Sequence, residues 1–374
     1  MGTCIMKKVL FFIHDLGQGG AEKVLVNLVN NMDSTKFDIS VISIFGGGVN
    51  EQFLKPHIKY RSVFKKAFPA NSKIMKLSTP KFLHKFCIKE HYDIEVSYLE
   101  GPSARIISGC PDKDTKLVSW IHVEQHRMKT LASSFRNENE AIRCYNRFDR
   151  TVCVSEFVKN DFSTILNFKK PIGVLYNTVE SDFIRKSAED TDVKFVDDNK
   201  LKLIAVGTLK QSKGYVRLLK VLKKLNDEKY PVHLYILGIG PMQEELANII
   251  QKDNMTDYVT LLGYDTNPYK YVSKSDLFVC ASFAEGFSTA ATEALIVGTP
   301  VVTVEVSGMK EMLGENNEYG IVTENSEEAL YEGIKNILTT DDMLADYAKR
   351  AKERGKYFST ENTVKAVEDM LSVL

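Results

Sequence analysis

The sequence predicts an α/β protein of two domains, each built on a parallel sheet. Three observations predict it. Short apolar runs of strand length alternate with longer helical patterns along the whole chain. Two of the runs, 8–14 and 276–282, have the unbroken apolar centre of strands covered on both faces. An acidic stretch without periodicity, residues 187–199, separates two such series. At 374 residues the chain is long for one core and comfortable for two.

The first series opens with Lys8-Val-Leu-Phe-Phe-Ile-His14, a buried-strand run, followed by a glycine loop and a helical pattern over 21–31. Strand-like runs recur at 37–44, 93–98, 116–121, 151–154 and 172–175. The acidic stretch then reads as the interdomain segment and the start of a new domain. Beyond it the pattern begins again at 201–206, 233–237, 259–262, 277–281 and 300–304. The expected boundaries are 1–180, 181–359 and a final helix at 360–374. Ligands of such sheets bind beyond the carboxyl ends of the strands, so the loops there deserve the closest reading.

Composition narrows the class. Hydrophobic content of 44% and charged content of 26% describe an ordinary soluble protein. No apolar run reaches the length of a membrane span, and residues 1–8 do not build a signal peptide. The six cysteines (4, 87, 110, 144, 153 and 280) form no CxxC pair and show no metal-ligand spacing. They are expected to be reduced thiols in a cytosolic protein. Net charge is zero, yet residues 1–170 carry 26 Lys/Arg against 17 Asp/Glu, and the remainder 23 against 32. Residues 52–89 hold ten Lys/Arg and no acid, interleaved with Phe64, Phe68, Phe82 and Phe86. A basic surface with apolar anchors suits an anionic membrane face; a solvated helical face is the alternative. Nucleic acid is not indicated, because no recognised binding module accompanies the patch.

The chemistry concentrates in Glu285-Gly-Phe-Ser-Thr-Ala-Ala-Thr-Glu293. It follows the strand-like run 276–282, and 288–297 reads as a helix stopped by Gly298 and Pro300. Glu285 then lies on the loop at a strand end, and Glu293 about two turns into the helix. Between them, the N–H groups of Phe287, Ser288 and Thr289 start a helix, where phosphate is favoured. One loop offers carboxylates to sugar hydroxyls and amides to phosphates, as a nucleotide-sugar site requires. Near the N-terminus, Gly17-Gln-Gly-Gly-Ala-Glu22 follows the first strand and opens a helix. Its missing Cβ atoms allow a ligand close to the backbone. The spacing is not the G-x-G-x-x-G of dinucleotide enzymes, and no acid ends the second strand.

The 285–293 stretch resembles the Glu-x7-Glu signature of retaining glycosyltransferases of the GT-B fold, closest to family 4. The resemblance covers nearly the whole chain, with the motifs in order. It implies two facing Rossmann-like domains with a cleft between them. The first would bind the acceptor and the second the nucleotide sugar, with the last helix crossing back. By the same resemblance Glu285 holds sugar hydroxyls and Glu293 the ribose, while Gly19 and Gly20 lie beside the donor phosphates and the acceptor. His122, after the strand Ser119-Trp-Ile, matches a histidine that faces the donor sugar; Glu124 and His126 are neighbours that could substitute for it. In Val206-Gly-Thr-Leu-Lys-Gln-Ser-Lys213-Gly214, Lys213 matches a diphosphate-clamping lysine. Thr208 stands where the family has arginine, a departure that shifts leaving-group stabilisation onto Lys213 and the helix N-terminus, with Lys210 near enough in sequence to compensate. Gly240 sits in a turn near the nucleotide and Tyr264 near the base.

The resemblance further implies transfer of a hexose or N-acetylhexosamine from a UDP-sugar to a glycan acceptor with retention, without metal or cofactor. No residue presents as a nucleophile, in keeping with a leaving phosphate that takes the acceptor's proton. Asp190-Thr-Asp192 matches a metal-binding DxD pattern but lies in the acidic stretch and follows no strand. If 52–89 meets a membrane, a polyprenyl-diphosphate glycan of bacterial capsule or O-antigen assembly is the expected acceptor, with the protein peripheral on the inner membrane face. Three alternatives stay open: a UDP-GlcNAc 2-epimerase on the same sheets, a dehydrogenase, and a non-catalytic nucleotide-sugar-binding partner of a transferase.

Overall fold

The computed structural model describes residues 6–17, 19–167, 170–196 and 199–374. Cys4, Gln18, Asp197 and Asp198 lie outside the described residues. The chain divides into two compact units, Met1–Val179 with Thr360–Leu374, and Glu180–Ser359.

The first unit is built on seven parallel strands: β1 (Lys7–Ile13), β2 (Phe37–Phe45), β3 (Lys59–Phe64), β4 (Ile94–Tyr98), β5 (Lys116–Ile121), β6 (Arg150–Cys153) and β7 (Ile172–Val174). Their order is β3-β2-β1-β4-β5-β6-β7. Residues 9–13 of β1 are fully buried, which is why that strand reads as an unbroken apolar run. The last helix, Thr360–Ser372, belongs to this unit. The Thr360 hydroxyl donates to the Val179 carbonyl (2.8 Å) and Glu368 accepts from Asp33 N (2.6 Å). Lys7 Nζ donates to the carbonyls of Leu371 (3.2 Å) and Ser372 (2.8 Å), a cation at the negative end of the helix dipole.

The second unit carries six parallel strands: β8 (Leu201–Val206), β9 (Val232–Leu237), β10 (Val259–Gly263), β11 (Leu277–Cys280), β12 (Val301–Val304) and β13 (Ile321–Thr323). Their order is β10-β9-β8-β11-β12-β13. Leu203, Leu222, Leu234, Val279 and Val302 lie at its core.

Two strands escape the sequence reading. β3 lies inside the basic stretch 52–89; its side chains are half-buried or exposed, so it lacks the apolar run that marked the others. β13 is three residues long, too short for a period. The acidic stretch is not a bare linker either. Its start packs within the second unit, where Asp190 Oδ2 lies 3.6 Å from Lys270 Nζ and Asn267 Nδ2 donates to the Ser187 carbonyl (2.8 Å). The Asp190-Thr-Asp192 pattern turns on itself, with Asp192 N donating to Asp190 Oδ1 (3.0 Å).

Each sheet reverses its winding once. The reversal falls between β1 and β4 in the first unit and between β8 and β11 in the second. At such a switch point adjacent loops part to opposite faces and leave a crevice at the strand carboxyl ends.

Candidate functional site

At the switch point of the second sheet, the loop after β8 supplies Lys213 and the loop after β11 supplies Glu285. Lys213 Nζ is 2.6 Å from Glu285 Oε1, and the Ser282 hydroxyl donates to the same oxygen at 2.6 Å. Lys213, Ser282, Glu285 and Ser288 border one crevice with Val206 and Ala281. Gly214 makes the close approach of the two loops feasible. It has φ +67°, and a Cβ there would stand 1.9 Å from the Ala281 carbonyl oxygen, so only glycine fits.

The loop bearing Glu285 is held from beneath by Arg217, a buried residue of the helix Tyr215–Asp227. Its guanidinium donates to the carbonyls of Ala281 and Ser282 and to Asn325 Oδ1 (2.7 Å), and lies 4.3 Å from the centre of the Phe283 ring. A planar fork can satisfy several acceptors at once where a lysine cannot.

The helix Thr289–Val297 begins directly after. Ser288 is its N-cap, its hydroxyl accepting from Ala291 N at 3.3 Å. The N–H groups of Ser288 and Thr289 have no hydrogen-bond acceptor among the described residues, leaving two donors at the positive end of the helix dipole. The Phe287 ring is buried instead, packing on Phe358 at 5.7 Å. Glu293 stands about one turn in, where its Oε1 accepts from Tyr269 Oη at 3.4 Å.

Three residues expected near the nucleotide sit on strand-end loops of the same unit. Thr208 is exposed, and its carbonyl accepts from Lys210 N at 2.8 Å. Tyr264, just past β10, is 69% exposed. Gly240 has a packing reason to be glycine: a Cβ there would lie 2.5 Å from the Leu209 carbonyl oxygen.

In the first unit, Gly19 is the N-cap of the helix Gly20–Asn31, and the Glu22 carboxylate folds back over it. A Cβ on Gly20 would meet nothing within 4 Å, so the glycine loop is open there. His122 follows β5 and is buried, its ring 4.6 Å from that of Tyr98, with Nε2 unpartnered among the described residues. Burial pulls its pKa down to about 3, so the imidazole is neutral at physiological pH. His126 and Glu124 pair with each other at 3.3 Å, and the His126 side chain is largely exposed.

The full-length comparison decides the family. The chain is 30% identical over 382 residues to an N-acetylgalactosamine-N,N'-diacetylbacillosaminyl-diphospho-undecaprenol 4-alpha-N-acetylgalactosaminyltransferase of Campylobacter jejuni, covering 99% of this chain and all of that one. Residues 186–354 match the glycosyl transferases group 1 model, and 18–183 match glycosyltransferase family 4. It belongs to the group 1 glycosyltransferases. Solved structures agree on the fold. Anabaena HepE in complex with UDP superposes with TM-score 0.78 at 18% identity over 98% of this chain and 100% of that one. A mutant of S. aureus TarM, in a complex that includes UDP, gives 0.74 at 15%, over 97% and 99%. The two units are therefore the Rossmann-like domains of the GT-B fold.

Sequence reasoning about this glycosyltransferase missed Ser282, Arg217 and Glu100. Ser282 stands three residues before Glu285, and a hydroxyl beside a proposed catalytic carboxylate was the available signal. Arg217 lies inside a helix and bonds residues more than 60 positions away, so no local pattern reveals it. Glu100 ends a strand loop and accepts from His122 N at 3.0 Å.

Two further features belong to the first unit. The basic stretch folds, after β3, into the helices Asn71–Leu77 and Pro80–Cys87. Leu77 (81% exposed) and Phe82 (59%) project with Ile74 and Phe86 among the exposed Lys73, Lys81, Lys85 and Lys89. Phe86 stacks on Phe82 at 6.4 Å and on Phe64 at 5.9 Å. Separately, His84, Glu95 and Cys110 gather in the interior, a cluster that no sequence spacing announces. His84 Nε2 lies 2.8 Å from Glu95 Oε2. Burial lowers the His84 pKa, but the bonds to Cys110 and Glu95 outweigh it and raise it to about 9. The pair is a buried ion pair pinning Pro80–Cys87 to β4.

Proposed function

We propose that this chain is a metal-independent, retaining transferase that moves an N-acetylhexosamine or hexose from a UDP-sugar onto a polyprenyl-diphosphate-linked glycan, of the kind used in bacterial surface polysaccharide assembly. The observation that carries the reading is the Lys213–Glu285 pair at a switch point, beside the two open N–H groups of Ser288 and Thr289. A cation and helix-start amides suit a diphosphate, and a carboxylate suits sugar hydroxyls.

Glu285 orients the donor sugar through its hydroxyls and Glu293 holds the ribose. The bond from the anomeric carbon to the β-phosphate oxygen breaks, and Lys213 with the amides of Ser288 and Thr289 stabilises the charge that develops on the diphosphate. The acceptor hydroxyl attacks from the same face, its proton passing to the departing phosphate oxygen, so configuration is retained. Thr208 contributes a hydrogen bond but no charge, which places the electrostatic demand on Lys213. His122 is assigned to the donor sugar by the resemblance alone; its ring is buried against Tyr98 and its Nε2 has no exposed surface. Tyr264 provides a ring beside the base.

UDP is supported by the UDP-bound neighbours, and the lipid-linked acceptor by the name of the Campylobacter relative. The exposed Phe/Leu/Lys patch is the surface by which the protein would meet the anionic membrane that holds such an acceptor. The test is incubation of the purified chain with UDP-hexoses, UDP-N-acetylhexosamines and an undecaprenyl-diphosphate glycan, with and without EDTA. Transfer giving an α-linkage from an α-donor, unaffected by EDTA, is expected. A β-linked product would overturn retention, and the absence of both transfer and donor hydrolysis would overturn the enzyme assignment.

A further inference from the structure

β4 carries a carboxylate into the interior of the first unit. Glu95 is 2% exposed, and its register neighbours are Leu10 on β1 and Leu117 on β5. A charge in such surroundings is retained only where partners compensate its desolvation. His84, from the helix Pro80–Cys87, is one partner and Cys110 is another. The three residues are buried, and one ligand atom from each lies within 4.8 Å of the other two.

Cys110 is brought there by the turn after the helix Pro102–Ile107. Its N–H donates to the Ile107 carbonyl (3.0 Å), and Arg147 Nη2 donates to its own carbonyl (2.9 Å). Gly109 lets the turn close on the neighbouring helix, because a Cβ there would stand 2.0 Å from the Pro80 carbonyl oxygen. A helix, a strand and a turn thus deliver an imidazole, a carboxylate and a thiol to one point. An ion pair needs only the first two. The thiol is a weak hydrogen-bonding group, yet it completes a set of ligands for a borderline-soft metal.

We propose that His84, Glu95 and Cys110 form a structural zinc site. Thiolate, imidazole and carboxylate are the ligand types of zinc, whereas magnesium and calcium take oxygen. One thiolate, one carboxylate and a neutral imidazole around Zn²⁺ sum to zero charge, so the filled site buries no net charge. Zn–S, Zn–N and Zn–O bonds form with no change of oxidation state. The thiol proton and the proton held between His84 and Glu95 leave to solvent. The His84–Glu95 separation of 2.8 Å opens to roughly 3.3 Å, that of tetrahedral ligands about 2.0 Å from zinc. The Asp112 carbonyl oxygen, 3.8 Å from Cys110 Sγ, is near enough to take the fourth position. The metal ties Pro80–Cys87 to β4 and takes no part in the metal-independent transfer proposed above. With its ligands buried, a chelator reaches it only when the unit opens.

The test uses the full chain produced in zinc-supplemented medium and purified without chelator. The wild type is expected to hold one zinc per chain, and EDTA added during melting to lower its Tm by several degrees. The chain produced with Co²⁺ should show thiolate-to-cobalt charge-transfer absorption. Cys110→Ser, which keeps the His84–Glu95 pair, and His84→Ala should lose the metal, the absorption and the EDTA shift. Cys87→Ser, which alters a buried thiol outside the cluster, should keep all three. Metal-free wild type overturns the proposal, as does zinc held equally by Cys110→Ser or absorption that Cys87→Ser removes. Should His84→Ala fail to fold, Cys110→Ser alone decides the matter.

Discussion

Lys213 and the Ser282 hydroxyl both reach the same oxygen of Glu285, each at 2.6 Å, and Oε2 carries no partner among the described residues. The carboxylate is thereby aimed: one oxygen is anchored and the other is free for a ligand hydroxyl. Preorganisation of this kind removes the need to reorient a charged group during the reaction.

Lys213→Ala should lower kcat by about 10²–10³, the usual effect of removing one preorganised charge-stabilising donor. Glu285→Gln should cost a similar factor while leaving the fold intact. Ser282→Ala removes one hydrogen bond worth about 1 kcal/mol and is expected to lower kcat/KM about fivefold. Because Lys213 and Glu285 are in direct contact, the losses from Lys213→Ala and Glu285→Gln should not add in the double variant. Steady-state kinetics with a UDP-sugar check all four; additive losses would show that the two residues act separately.

Arg217 tests whether the loop is held rather than merely covered. Arg217→Lys cannot serve the Ala281 and Ser282 carbonyls and Asn325 together. Leaving buried acceptors unpaired should destabilise the second unit by about 1–3 kcal/mol, read from the urea midpoint. It should also lower kcat, because Glu285 loses its platform. Unchanged stability with unchanged kcat would mean that the packing of Phe283 suffices.

Most of this architecture was legible because it depends on local signals. β1, β9 and β12 are buried through most or all of their length and so read as largely apolar runs. Glu285 was singled out as a carboxylate on a strand-end loop before a helix start, and Lys213 by the family resemblance of the loop after β8. Arg217 and Glu100 were not found because their meaning is set by partners that only the sheet order brings near. The His84–Glu95 pair was invisible for the same reason. β3 was hidden by its composition: a half-buried edge strand in a run of lysines has neither period nor apolarity.

The patch on Asn71–Leu77 and Pro80–Cys87 makes a separable prediction. Leu77→Asp with Phe82→Asp replaces exposed apolar side chains, so stability should change by less than about 0.5 kcal/mol. Flotation with liposomes containing anionic lipid should fall several-fold, and wild-type flotation should weaken as salt rises. Salt-insensitive flotation, or none in the wild type, would remove the membrane from the account.

Glu100 makes a prediction of opposite sign from an ordinary buried contact. Its folded pKa, about 7, lies above the ordinary carboxylate value of 4.5, so the folded state prefers the protonated form. Its contribution to stability is fully present below pH 4.5 and lost as pH rises through 7. Glu100→Gln cannot ionise and escapes that loss, which for a shift of this size is on the order of 3 kcal/mol. Thermal denaturation should therefore show Glu100→Gln melting several degrees higher than the wild type at pH 8 and at nearly the same temperature at pH 4.5. A carboxylate kept for stability would give the reverse at pH 8.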